Sequence, residues 1–104
     1  MVTRGDVCWA ELPEAGRRPV LVLTRAQAIP VLSRVVVAPL TRTIRRIPTE
    51  VLLGEGDGMP AECAISFDNL QLIPRVLLGE SLTSLSGSRM REACRALAIA
   101  TGCD

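Results

Sequence analysis

The sequence predicts a mainly β fold: a small, strongly curved sheet or partly open β-barrel of six or seven short strands, followed by one C-terminal α-helix. Three observations carry this reading. Short apolar runs rich in Val, Leu and Ile recur as far as Thr83, each bounded by Gly, Pro or charged residues. After Ser86 the apolar spacing changes from a period of two to the helical period. The chain has 104 residues and no internal repeat or low-complexity stretch, so residues 1–104 read as one domain.

The first strand spans 5–12, GDVCWAEL, with Val7 and Trp9 on one face and Cys8 and Ala10 on the other. A short Pro/Gly loop covers 13–16. The second strand is 18–24, an apolar run behind Pro19, with Arg17 and Arg18 at its mouth. Residues 25–33 allow a helical turn that Pro30 limits. The third strand is 34–41; Pro39 lacks a donor and belongs near a strand end or on an edge. Residues 42–48 form a basic loop and 49–53 the fourth strand. The sequence GEGDGMP is a turn-rich loop, and strands follow at 61–67, 70–73 and 79–83. Met90, Ala93, Cys94, Leu97, Ala98 and Thr101 then share one helical face, opposite Arg89, Arg91, Glu92 and Arg95. Ser86 is the expected N-cap and Gly102 the expected end.

Composition narrows the function classes. Hydrophobic residues make up 48% of the chain, yet a domain this small buries only about 60–65% of its unfolded surface. A homodimer is the simplest cover for the excess, because a two-fold contact reuses one patch. No apolar run reaches the roughly 18–20 residues of a membrane span. The opening MVTRGD has no apolar signal region, so a cytoplasmic protein is expected. The four cysteines, at 8, 63, 94 and 103, form no CxxC pair, and the chain has no histidine. No zinc site and no cofactor is expected, and an imidazole base is excluded. Cys8, Cys63 and Cys94 read as reduced core thiols and Cys103 as exposed. Net charge is only +1, but it is uneven. Seven arginines and no acid lie between Ala15 and Thr49, and six acids with one arginine lie between Glu50 and Glu80. The first half therefore presents a field that draws polyanions.

Three places could hold chemistry. Arg18 precedes a proline, which stiffens its backbone, and its guanidinium fork fits a phosphate or an ordinary salt bridge. Thr41 ends the third strand at the basic loop, where its hydroxyl can hold a phosphate oxygen or cap its own backbone. Asp68-Asn69 offers an acceptor and an amide for base edges, or a plain turn.

A pattern joins these places. RGDVCWAEL, AGRRPVLVL, VVVAPLTRT and SFDNLQLIP stand in this order over nearly the whole chain. Together they resemble the MazF/PemK (Kid) family of bacterial toxins. The arginine-proline strand and the strand ending Pro-x-Thr are the most specific parts. The resemblance implies an SH3-like barrel and a homodimeric endoribonuclease that cuts single-stranded RNA without a metal, by attack of a 2′-hydroxyl. It also implies a cognate MazE-like antitoxin. Carried over by position, Arg18, Thr41 and Asp68 are the expected catalytic residues. Arg17, Arg42, Thr43, Arg45, Arg46, Asn69 and Gln71 are the expected RNA contacts. Glu14 lies near an acidic position that some members use as acid or base, in a loop shorter than theirs. The competing expectation is a non-catalytic barrel that binds nucleic acid, or a protein target as a related gyrase poison does.

Overall fold

In a computed structural model the chain is described over residues 1–103; Asp104, the last residue of the expected domain, lies outside them. Seven strands and one helix follow in order: β1 Asp6–Leu12, β2 Gly16–Val22, β3 Arg34–Thr41, β4 Glu50–Leu53, β5 Cys63–Ser66, β6 Gln71–Pro74, β7 Leu78–Ser84 and α1 Gly87–Thr101. The sheet is antiparallel and runs β4-β5-β3-β2-β1-β7, with β6 paired to β3. It curls into the open half-barrel that the sequence predicts, and α1 follows it.

The apolar residues of these strands serve two cores, one on each face of the curled sheet. Val7, Leu21, Ala38, Leu40, Ile65 and the only phenylalanine, Phe67, pack with Ala93 and Ala96 of α1. Cys8, Ala10, Val20, Val22, Val35, Val37 and Ile73 pack on the opposite face with Ile29. Strands buried on both sides need no polar alternation, which is why β2 and β3 read as continuous apolar runs.

Several boundaries differ from expectation, each for a stated reason. β2 starts two residues earlier than predicted, because Leu12 pairs with Gly16, Glu11 with Arg17 and Ala10 with Arg18. Both arginines therefore stand inside the strand rather than ahead of it. The turn between β1 and β2 needs a left-handed backbone at Glu14 (φ 69°) and Gly16 (φ 73°). Residues 25–33 form turns, with one helical hydrogen bond from the Leu32 amide to Ala28 O, in line with the helical turn expected; Ala28 and Ile29 are buried there, and the Arg75 amide donates to Ser33 O at 2.8 Å. In α1 the cap is as expected: Ser86 Oγ accepts from the Arg89 amide, and Gly102 closes the helix at φ 75°. The inward face is rotated, however. Ala93 and Ala96 are buried, with Met90, Leu97 and Ala100 beside them, while Cys94 is exposed rather than a core thiol. Two alanines with no bulk beyond Cβ let the helix sit close to the sheet and turn Cys94 outward. Cys8 and Cys63 are buried, and burial pushes both thiols up in pKa.

The opening Arg4-Gly5-Asp6 is a structural clamp. Arg4 Nη1 donates to Leu23 O and Nη2 to Cys94 Sγ, tying the end of β2 to α1. Asp6 is buried and accepts from the Thr3 amide at 3.0 Å and from Ser84 Oγ at 2.6 Å. A second clamp joins the 54–60 loop to α1. Asp57 is 10% exposed and accepts from Arg89 Nε at 2.8 Å, while Arg89 Nη1 also meets Glu92 at 3.0 Å. The Arg89 hydrogen bond holds the Asp57 carboxyl below the usual carboxylate range. Its stabilising share is therefore full above the unfolded pKa and is lost as pH falls through the folded value. Arg89→Ala is expected to lower stability at neutral pH by about 1–2 kcal/mol. Denaturant melts of both proteins should show that deficit at pH 7 and see it shrink as the pH falls below the ordinary aspartate value of about 3.9.

Candidate active site

β2 and β3 pair at Val22↔Val37, Leu21↔Ala38 and Val20↔Pro39, and the ladder goes no further. Pro19 brings no backbone donor to the edge that faces β3, and the ladder ends there. Extending the register by two residues sets Arg18 opposite Thr41. On its other edge β3 pairs with β5, through Leu40↔Ile65 and Thr41↔Ala64. β6 pairs with β3 from Arg34 to Val37, and the 3-10 turn Phe67–Asn69 bridges β5 and β6.

A groove of about 450 Å³ opens at this place. Side-chain alternation explains what lines it. Residues 8, 10 and 12 of β1, 20 and 22 of β2, 35 and 37 of β3, and 73 of β6 share one face, the face of the second core. Continued to the strand ends, that same face presents Arg18, Pro39, Thr41 and Gln71. Leu12 belongs to both the core and the groove, so the apolar layer becomes the floor. Thr43, Arg45, Glu50, Ser66 and Asn69 complete the walls together with Ala15.

Of the residues singled out from the sequence, Arg18, Thr41, Thr43, Arg45, Asn69 and Gln71 come together here. The Arg18 side chain emerges from a half-buried position, and its guanidinium has no ion pair among the described residues. Thr41 Oγ1 accepts from the Thr43 amide at 3.1 Å, which leaves its own proton free to donate into the groove. Asn69 Nδ2 donates to Ser66 Oγ at 2.7 Å.

The remaining expected residues stand elsewhere. Asp68 is exposed on the 3-10 turn, accepts from Thr49 Oγ1 at 2.6 Å and does not line the groove. Glu14 is exposed in the β1–β2 turn, held outward by its left-handed backbone. Arg17 sits on the other face of β2 and stacks on Trp9, 4.2 Å from the ring centroid. Arg42 follows Thr41 onto that same side, and Arg46 is exposed in the loop at φ 56°.

Two residues of the groove were missed. Ser66 is buried at the end of β5. Glu50 is half-buried at the start of β4 and is the only carboxylate in the groove lining. Its Oε1 accepts from the Arg45 amide at 2.9 Å and from the Arg46 amide at 3.2 Å, which shapes the basic loop. Only the registers bring these two together, since Glu50 pairs with Ser66 across β4 and β5. The available signal was Glu50 closing the acid-free segment directly behind the loop. Among the described residues no group of three or more His, Cys, Asp or Glu could hold a metal ion, and no helix is long and apolar enough to cross a membrane.

Known proteins are similar to this chain in sequence and fold. Residues 3–101 match the family model described as PemK-like, MazF-like toxin of type II toxin-antitoxin system. The chain is 45% identical over 101 residues to the probable endoribonuclease MazF5 of Mycobacterium tuberculosis, covering 96% of this chain and 93% of that one. It is 41% identical to the probable endoribonuclease MazF2 of the same organism, covering 96% and 98%. Among solved structures, the Mycobacterium tuberculosis toxin MazF-mt6 superposes with a TM-score of 0.88 at 35% identity, covering 95% of this chain and 98% of that one. An endoribonuclease in complex with its cognate antitoxin, from Mycobacterial species, gives a TM-score of 0.89 at 29% identity over 100% and 98%.

Glu50→Ala removes the acceptor of two loop amides. Hydrogen exchange at the Arg45 and Arg46 amides is expected to rise by about tenfold or more, with the amides of the β1–β2 ladder unchanged.

Proposed function

This chain belongs to the PemK-like, MazF-like toxins of type II toxin–antitoxin systems, and on that premise we propose that it is a metal-independent endoribonuclease. It cuts single-stranded RNA at short sequences, acts in the cytoplasm and is neutralised by a MazE-like antitoxin. The observation that carries the reading is the shared groove, faced by an arginine without a carboxylate partner and by a threonine hydroxyl with its proton free.

A ribose 2′-hydroxyl attacks the adjacent phosphorus, the bond to the 5′-oxygen breaks, and a 2′,3′-cyclic phosphate and a 5′-hydroxyl result. Negative charge grows on the phosphoryl oxygens in the transition state. A fixed Arg18 guanidinium stabilises that charge more than it stabilises the ground state. Thr41 donates to a phosphoryl oxygen and sets the phosphate in line. Glu50, with Oε2 outside the loop hydrogen bonds, takes the 2′-hydroxyl proton in place of Asp68 or Glu14. Arg45, Thr43, Asn69 and Gln71 hold the flanking RNA.

The rival of a non-catalytic barrel, or of a toxin aimed at gyrase, draws no support from the relatives, which are named endoribonucleases. The antitoxin follows from the solved complex of a similar endoribonuclease and from the basic groove, which suits an acidic segment. The homodimer draws on exposed apolar side chains beside β6: Val36 and Leu72 face each other across β3 and β6, with Val31 and Val76 nearby.

Incubation with a long transcript in EDTA is expected to give discrete fragments. Arg18→Ala should cut about 10²–10³-fold more slowly while keeping its circular dichroism and melting temperature. A single 2′-deoxy substitution at a mapped cut should make that site resistant; cleavage there would rule out 2′-hydroxyl attack. Leu72→Glu is expected to shift the sedimentation of the free protein from dimer to monomer.

A further inference from the structure

A second hollow lies on the other face of the same strand ends. It measures about 130 Å³. Pro19, Leu40, Met59, Cys63 and Leu82 line it together with Trp9, the only tryptophan in the chain. Thr41 and Arg42 stand at its rim, and Thr41 lines the first groove as well. The two hollows flank the place where β2 and β3 part, and Thr41 borders both.

Resting on the nuclease reading, we infer that this apolar hollow takes one nucleobase, that of a nucleotide next to the phosphate held by Arg18 and Thr41. The polar groove holds the phosphate on one face, and the base turns over the open strand ends onto the other. Three features favour a base over an aliphatic side chain. An indole ring offers a stacking platform that every base can use. Arg17 stacks on Trp9 and holds that ring in place. Arg42 at the rim supplies a cation for the backbone that carries the base. The volume admits a single base and excludes two.

Because Trp9 is the only tryptophan, its emission reports this hollow directly. The experiment uses a short RNA spanning a mapped cut, with 2′-deoxyribose at the attacked position. It is titrated into the protein, intact and with an abasic residue on either side of the cut. The intact RNA should change Trp9 emission saturably. One of the two abasic RNAs should bind about five- to a hundredfold more weakly and leave Trp9 silent. Ala61→Leu fills the hollow from its edge. It should raise KM for the cleavable intact RNA about tenfold with kcat within twofold, and leave cleavage of that abasic RNA unchanged. Cleavage with silent Trp9 emission and no loss at either abasic site overturns the base pocket alone. A Trp9 response to an acidic antitoxin peptide and none to RNA overturns it too, and assigns the hollow to protein side chains. Absence of both cleavage and RNA binding overturns the nuclease reading and this inference with it.

Discussion

The parting of β2 and β3 beyond Val20↔Pro39 is the constraint on which the rest of the molecule turns. Pro19 denies the ladder a donor at the point where it would otherwise run on. Had the strands stayed paired, Arg18 and Thr41 would be neighbours on a closed sheet, with no opening between them. Because they part, a groove opens beside the separated ends. β5 runs along the opposite edge of β3, and through β5 and its partner β4 that edge supplies Ser66 and Glu50.

The electrostatics of the groove suit an anion. Arg18 rises from a half-buried position with no ion pair among the described residues, which leaves its charge available to a ligand. The one carboxylate available, Glu50, spends an oxygen on two loop amides and so organises the basic loop. Arg4, Arg75 and Arg89 each tie two distant segments together, and no buried polar side-chain atom among the described residues lacks a partner. Arg18 has no such structural tie and lines the groove, where the nuclease reading gives it a phosphate.

What could be read from the sequence divides along the range of the interaction involved. The strands, the helix caps at Ser86 and Gly102, and the order of elements follow from local periodicity and turn chemistry, and the structure has them all. The start of β2 was misplaced because pairing with β1, a tertiary fact, extends the strand through two charged residues. The helix face was rotated because apolar spacing weighs Cys94 like Ala96, whereas close packing admits the smaller side chain. In the site, Arg18 and Thr41 were legible as strand-end residues in a basic half. Asp68 looked equally suitable, but Thr49 claims its carboxylate across 19 positions of sequence. Glu50 and Ser66 carried no local mark at all, since only their register gives them a role.

On the nuclease reading, a preference for single-stranded substrate follows from the same architecture. In a duplex the bases are stacked and paired, so only the phosphate backbone can reach a protein surface without unstacking. A backbone alone could use the polar groove, where Arg18 and Arg45 supply the charge. It could make little of the hollow around Trp9, whose lining is apolar apart from Thr41 and Arg42. Both hollows are filled together only if the sugar-phosphate chain lies across the parted strand ends with a base free to rotate away from its neighbours. A strand already unpaired meets that condition without the cost of opening a helix. The discrimination therefore needs no residue that recognises strandedness as such. It arises because the phosphate site and the apolar hollow lie on opposite faces of one sheet, joined only at Thr41.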